Sequence, residues 1–172
     1  MGASIFSPLG FPVGGGQLDA MKLLESDHVQ LRRMLQELAD ASGSGTLDRK
    51  KTVFRSFRRS LLSHALVEEE ILYPALMRTR SEAARHAVKD ALGEHQGIES
   101  LMAEIDQIEP DDDGYDVRVD ALRASVERHL AGEEQRMFEH ARNNLTDDRL
   151  LALGRQMMAR RERLRQGEAA EG

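Results

Sequence analysis

Apolar residues recur along this chain at helical rather than strand spacing. Met21, Leu24, Leu31, Leu35 and Leu38 fall three, four and seven apart within a run from Leu18 to about Ala41, which predicts an amphipathic helix. Ser42-Gly43-Ser44-Gly45 is expected to break it. Thr46 is suited to cap a second helix reaching about Thr79, with Val53, Phe54, Phe57, Leu61, Ile71 and Leu72 as its apolar stripe. Pro74 should kink or shorten its end. Ser81 opens a third helix to about Glu109, with Val88, Leu92, Ile98, Met102 and Ile105 turned inward. Pro110 and Asp111-Asp112-Asp113-Gly114 stop it, and a fourth helix follows from about Tyr115 to Asn143 on Val119, Leu122, Val126 and Met137. Thr146-Asp147-Asp148 begins an Arg-rich fifth helix to about Arg165, acidic at its start and basic toward its end as the helix dipole favours.

Long helices joined by short turns must run antiparallel to their neighbours. The expected fold is therefore all-α, an up-down-up-down four-helix bundle over residues 18–143. An N-terminal arm, residues 1–17, precedes it, punctuated by Pro8, Pro12 and Gly14-Gly15-Gly16. A C-terminal helix and tail, residues 144–172, follows. No dinucleotide fingerprint or phosphate loop interrupts this pattern.

Composition narrows the chemistry. The 172 residues include no cysteine, so disulfides, thiolate metal sites and cysteine nucleophiles are excluded. That fits a cytoplasmic location. The net charge of -6 gives no general attraction to nucleic acid or an anionic membrane. No apolar run approaches the roughly 20 residues needed to span a bilayer. Met1–Gly16 lacks the basic start and long apolar core of a secretion signal, and Phe6 breaks the myristoylation pattern. The Lys50, Lys51, Arg55, Arg58, Arg59 run and the stretch from Arg155 to Arg165 read as solvated faces.

Histidine carries the remaining signal. Of the six, His64, His86, His95 and His129 each have a carboxylate four residues later, on the same helix face. Counted from the intervening turns at about 1.5 Å per residue, His28, His64, His95 and His129 reach one cross-section of the bundle to within roughly 8 Å. His64 and Glu68 share a stripe with Leu61, and His129 and Glu133 share one with Leu122 and Val126. His28 and His95 follow Met21 and Val88 by seven residues. Ionisable groups at core positions are costly without a partner, and a metal is the partner that converging imidazoles need. His86 should face away, and His140 lies about 16 Å beyond His129. Glu25 and Glu99 are further candidates for the metal or its surroundings; Tyr73, nine residues after His64, should also face away.

These residues resemble the hemerythrin family, in particular its HHE cation-binding domains. The resemblance lies in Ser26-Asp27-His28-Val29-Gln30-Leu31, His64-Ala65-Leu66-Val67-Glu68-Glu69-Glu70-Ile71-Leu72-Tyr73-Pro74, Glu94-His95-Gln96-Gly97-Ile98-Glu99 and His129-Leu130-Ala131-Gly132-Glu133-Glu134. It implies two iron ions in a non-haem di-iron centre with an oxide or hydroxide bridge. His28, His64, His95 and His129 would be terminal ligands, and Glu68 and Glu133 bridging ones. The family's oxygen carriers have a second histidine on the third helix where this chain has Glu99, so the pattern is closer to the bacterial His, His-xxx-Glu, His, His-xxx-Glu variant. A harder, carboxylate-rich site favours ferric iron and reaction with peroxide or dioxygen over reversible oxygen carriage. The implied activity is catalase-like disproportionation or oxidative-stress defence. The alternative is a non-catalytic module that senses or stores oxygen, nitric oxide or iron. Homo-oligomerisation is compatible with either.

Overall fold

The computed structural model describes the backbone of residues 18–171 and the side chains of residues 18–167, so the expected N-terminal arm lies outside the described residues. Helix α1 spans Ala20–Ser44 and α2 spans Leu47–Val67. A π-helical turn, Glu68–Leu72, carries α2 without a break into the short α3, Tyr73–Met77. Helix α4 is Glu82–Asp106. Helix α5, Asp113–Gly132, passes through a second π-helical turn, Glu133–Met137, into α6, Phe138–Asn144. Helix α7 is Asp147–Glu171. The four rods α1, α2–α3, α4 and α5–α6 form the expected bundle, and α7 lies along α1, α2 and the first π turn. No helix of the described residues is long and apolar enough to cross a membrane.

Side-chain caps set the helix starts. Asp19, Thr46, Ser81 and Asp112 accept from the backbone N–H of Lys22, Arg49, Ala84 and Gly114, satisfying donors that a helix start leaves open. Helix α1 runs on through Ser42-Gly43-Ser44 and stops only at Gly45, whose N–H bonds Ala41 O at 2.8 Å. The predicted break is therefore shorter than the Ser-Gly pattern suggested. Pro74 neither breaks nor ends its rod. The widened turn before it has already shifted the hydrogen-bond register, and Tyr73 N–H bonds the carbonyl of Glu68, five residues back.

The apolar core is split. One cluster contains Met21, Leu24, Leu72, Leu76, Phe138 and, from α7, Leu150, Leu153 and Met157. The other contains Leu35, Phe57, Leu61, Ile105, Val119 and Leu122. Asp27, His28, His64, Glu68, His95, His129 and Glu133 are buried as well, a polar layer within an otherwise apolar bundle.

Candidate metal centre

One histidine comes from each of α1, α2, α4 and α5, and the first residue of each π turn is the carboxylate that faces them. Two groups of donor atoms result, with the atoms of each group within 4.8 Å of one another: His28, His64, Glu68 and Glu133, and Glu68, His95 and His129. The rings pair edge to face, His28 with His64 at 5.0 Å between centroids and His95 with His129 at 4.6 Å. Both carboxylates reach both pairs. Glu68 Oε2 is 3.5 Å from His64 Nε2 and from His95 Nε2, and Glu133 Oε2 is 3.4 Å from His28 Nε2 and from His129 Nε2.

The outer nitrogen of every ring meets a carboxylate in a crossed pattern. Asp27, just before His28, bonds His64 Nδ1 at 3.1 Å, and Glu94, just before His95, bonds His129 Nδ1 at 2.9 Å. Glu134, just after Glu133, bonds His28 Nδ1 at 2.9 Å, and Glu69, just after Glu68, bonds His95 Nδ1 at 2.6 Å. Hydrogen-bonded this way, each Nδ1 carries a proton and each Nε2 is the ring atom left to face inward. The centre is thus a pseudo-twofold assembly of two helical hairpins.

Several atoms of this layer lack a hydrogen-bond partner among the described residues although fully buried: His28 Nε2, His64 Nε2, Glu68 Oε1 and Glu133 Oε2. Such orphans are rare in apolar interiors. In the other pair, His95 Nε2 and His129 Nε2 face each other at 3.0 Å. Two inward lone pairs at that distance repel unless a proton or cation lies between them. Two nitrogens at right angles on one ion, with bonds of ~2.1 Å, sit about that far apart. Nitrogen and oxygen donors with ordered outer hydrogen bonds fit a divalent or trivalent transition metal.

Electrostatics point the same way. Burial and the charge of Glu133 push the Glu68 carboxyl well above its usual range, so Glu68 holds the proton of the pair. Burial also opposes charge on Glu133, but the adjacent His28 ring and the other surrounding imidazoles outweigh it and bring it down to about 2. Burial lowers His64 to about 4 and lowers His129 as well. Burial disfavours charge on His28 too, yet Glu133, Glu68 and Glu134 hold its pKa above the ordinary value.

Tyr73 is buried and faces the centre, contrary to the sequence expectation. Its hydroxyl donates to Glu133 Oε1 at 2.9 Å and lies 3.4 Å from Glu68 Oε2 and 3.5 Å from His95 Nε2. In an unbroken α-helix Tyr73 would lie about 180° from His64; the π turn inserts one residue and sets the register back by about 100°. Burial and the neighbouring carboxyl groups of Glu68 and Glu133 raise the phenol well above its usual pKa, so it remains a donor.

The structure brings His28, His64, Glu68, His95, His129 and Glu133 together. It does not bring Glu25 or Glu99 to them: Glu25 pairs with Arg142 outside the layer, and Glu99 is exposed. His86 is exposed. The arginine-rich face of α7 is not wholly solvated as expected. Arg161 grips both oxygens of Asp27, and Arg160 forks onto Glu70. Sequence reasoning missed Asp27, Glu69, Glu94 and Glu134 as partners of the rings. A signal was present: an acidic residue precedes each of His28 and His95, and another follows each of Glu68 and Glu133.

Comparison with known proteins agrees with this geometry. A solved structure of a hemerythrin HHE cation-binding domain-containing protein from Mycobacterium kansasii superposes with a TM-score of 0.78, covering 90% of this chain and 91% of that one at 22% identity. A curated relative from Nostoc sp., described as a DNA nickase, is 24% identical over 149 residues; the match takes in 87% of this chain but only 41% of that protein. The family model for the hemerythrin HHE cation-binding domain matches residues 19–141. The chain therefore belongs to the hemerythrin HHE cation-binding domain family.

Proposed function

We propose that the chain is a non-haem di-iron protein that reacts with peroxide or dioxygen. His28, His64, His95 and His129 would hold the two ions terminally, and Glu68 and Glu133 would bridge them. The observation that carries this reading is the set of buried, unpartnered donor atoms, His28 Nε2, His64 Nε2, Glu68 Oε1 and Glu133 Oε2, aimed at one another. Bound iron would supply two one-electron couples side by side, suited to a two-electron oxidant. The chain's own residues supply proton control. Tyr73 is a phenol that stays protonated 2.9 Å from Glu133 Oε1, and it can give a hydrogen bond to a ligand oxygen or stabilise the carboxylate. The outer carboxylates fix the imidazole tautomers, and the apolar clusters exclude bulk water.

The test is direct. Protein loaded with two equivalents of iron should release oxygen from hydrogen peroxide faster than the same iron free in solution. Equal rates would sink the peroxide reading. A sensing or storage module is the second reading. It is favoured by the Nostoc relative, in which the matching stretch is 41% of a longer chain. It predicts spectra that change with dioxygen or nitric oxide without oxygen release from peroxide.

A further inference from the structure

The two hairpins that build the centre are alike in their donors and unlike in their outer walls. Matched through His64 and His129, the position three residues after each histidine is Val67 in one hairpin and Gly132 in the other. Matched through His28 and His95, the position five residues before each is Leu23 in one and Asp90 in the other. Val67 and Leu23 are fully buried in the apolar cluster that Leu150, Leu153 and Met157 of α7 complete. The seam between α1 and α2 is therefore filled and then covered. Gly154 lets α7 approach closely: a Cβ there would lie 2.3 Å from Leu18 O.

Among the described residues, no equivalent cover lies over the seam between α4 and α5. An open groove of about 390 Å³ runs along it, lined by Asp90, Gly93, Glu94, Gly97, Ser125 and Arg128 among others. Next to it is a crevice of about 10 Å³, room for roughly one water-sized molecule. Asp90 and Glu94 line both spaces, and Gly132, Glu133 and Arg136 line the crevice as well. Glu133 is 2% exposed, and its Oε2 has no hydrogen-bond partner among the described residues. The open wall thus includes a residue whose carboxylate belongs to the centre itself.

We propose that the α4–α5 seam is the portal through which small uncharged molecules, of the size of dioxygen, nitric oxide or hydrogen peroxide, reach the centre, and that Gly132 sets its bore. This rests on the reading that the centre holds metal and meets such ligands. The small volume of the crevice, about 10 Å³, sets the size limit: it suits a molecule of two to four atoms rather than an organic substrate. Asp90 and Glu94 are balanced there by Arg128 and Arg136, so the lining selects for neither sign of charge.

The experiment measures the rate of nitric oxide binding to the ferrous-loaded protein by stopped-flow spectroscopy. Gly132→Val installs the residue that the sealed hairpin carries, and among the described residues, its own helix backbone aside, its Cβ would meet only the flexible tip of Arg136 at 3.1 Å. Gly97→Leu fills the outer groove, where a Cβ meets nothing within 4 Å, so folding is not at risk. Each should slow association by about tenfold or more, with dissociation slowed in step, so that affinity and metal content hold. Met157→Ala, beneath α7 on the sealed side, should leave the rate unchanged. Unchanged association in Gly132→Val and Gly97→Leu at full metal content would overturn the portal and leave the metal reading standing. Faster association in Met157→Ala would also overturn it, by placing the route under α7. Failure of the unsubstituted loaded protein to bind nitric oxide would overturn the metal reading and the portal with it.

Discussion

The hairpin α1–α2 and the hairpin α4–α5 present the same inward chemistry and different outward surroundings. Each offers an edge-to-face pair of imidazoles, a carboxylate at the start of a π turn and an acidic partner for every outer ring nitrogen. Beyond that layer the likeness ends. Phe138 stacks on His28 at 5.3 Å, whereas the residue in the matching place beside His95 is Tyr73, at 5.7 Å, with a hydroxyl that reaches Glu133. Asp27, on the α1 side, is 8% exposed and held by Arg161 of α7; Glu94, on the α4 side, has a side chain 31% exposed and lines the groove. Arg32 braces Glu134, and the corresponding place after His95 is taken by the exposed Glu99. A symmetric donor set inside an asymmetric shell would give the two ions of the proposed centre similar ligands but different solvent access, charge and proton supply.

The largest effect should come from removing what the two hairpins share. Because Glu68 and Glu133 each reach histidines of both pairs, Glu68→Ala or Glu133→Ala should lose nearly all bound metal, whereas His64→Ala or His129→Ala should retain about one ion per chain. Elemental analysis after dialysis decides this, and a carboxylate variant still holding two ions would show that the halves bind independently. Next, Asp27→Asn and Glu94→Gln should each weaken metal binding by about 10–100-fold. Only Asp27→Asn should also cost substantial stability, roughly 2–3 kcal/mol, since it disrupts a nearly buried arginine–carboxylate pair. Urea unfolding of the two metal-free variants compares the costs, and equal losses would remove α7 from the account.

Acidity should act through the groups that hold protons before loading. The pKa values of Glu68 and His28 are raised in the metal-free protein, so metal must displace protons from them. Binding should therefore strengthen as pH rises, about tenfold per unit for each proton released. Calorimetry at neutral pH in two buffers of different ionisation enthalpy counts these protons, and a count of zero contradicts the raised pKa values. The smallest change should be Tyr73→Phe, which makes the two hairpins alike at that place. The lost hydrogen bond to Glu133 should cost about 1 kcal/mol in the metal-free protein, while metal content stays near that of the unsubstituted chain. Loss of metal would mean that the phenol is itself a ligand.

Much of this molecule could be read from its residues. The helical periods, the capping by Thr46 and Ser81 and the convergence of His28, His64, His95 and His129 on one level follow from repeat length and chain geometry. Tyr73 was out of reach because its facing depends on a π turn, and the cost of that turn is met by tertiary contacts rather than by any local preference. The docking of α7 was hidden for a related reason. Its buried face rests on Leu150, Leu153, Met157 and the close approach at Gly154, a thin stripe in an arginine-rich sequence. The polar neighbours of the rings were visible as residues but not as partners, since each joins elements far apart in sequence.

The split core has a consequence for how the bundle breathes. Apolar contact ties each cluster together internally, but between them the rods meet through a layer whose inward donors are unsatisfied without an ion. That layer should be the weak waist of the metal-free chain, and amide protons near His28, His64, His95 and His129 are expected to exchange through local opening before either apolar end melts. Loading would clasp the two ends into one cooperative unit, so that metal governs the unit of unfolding as well as the reactivity of the centre.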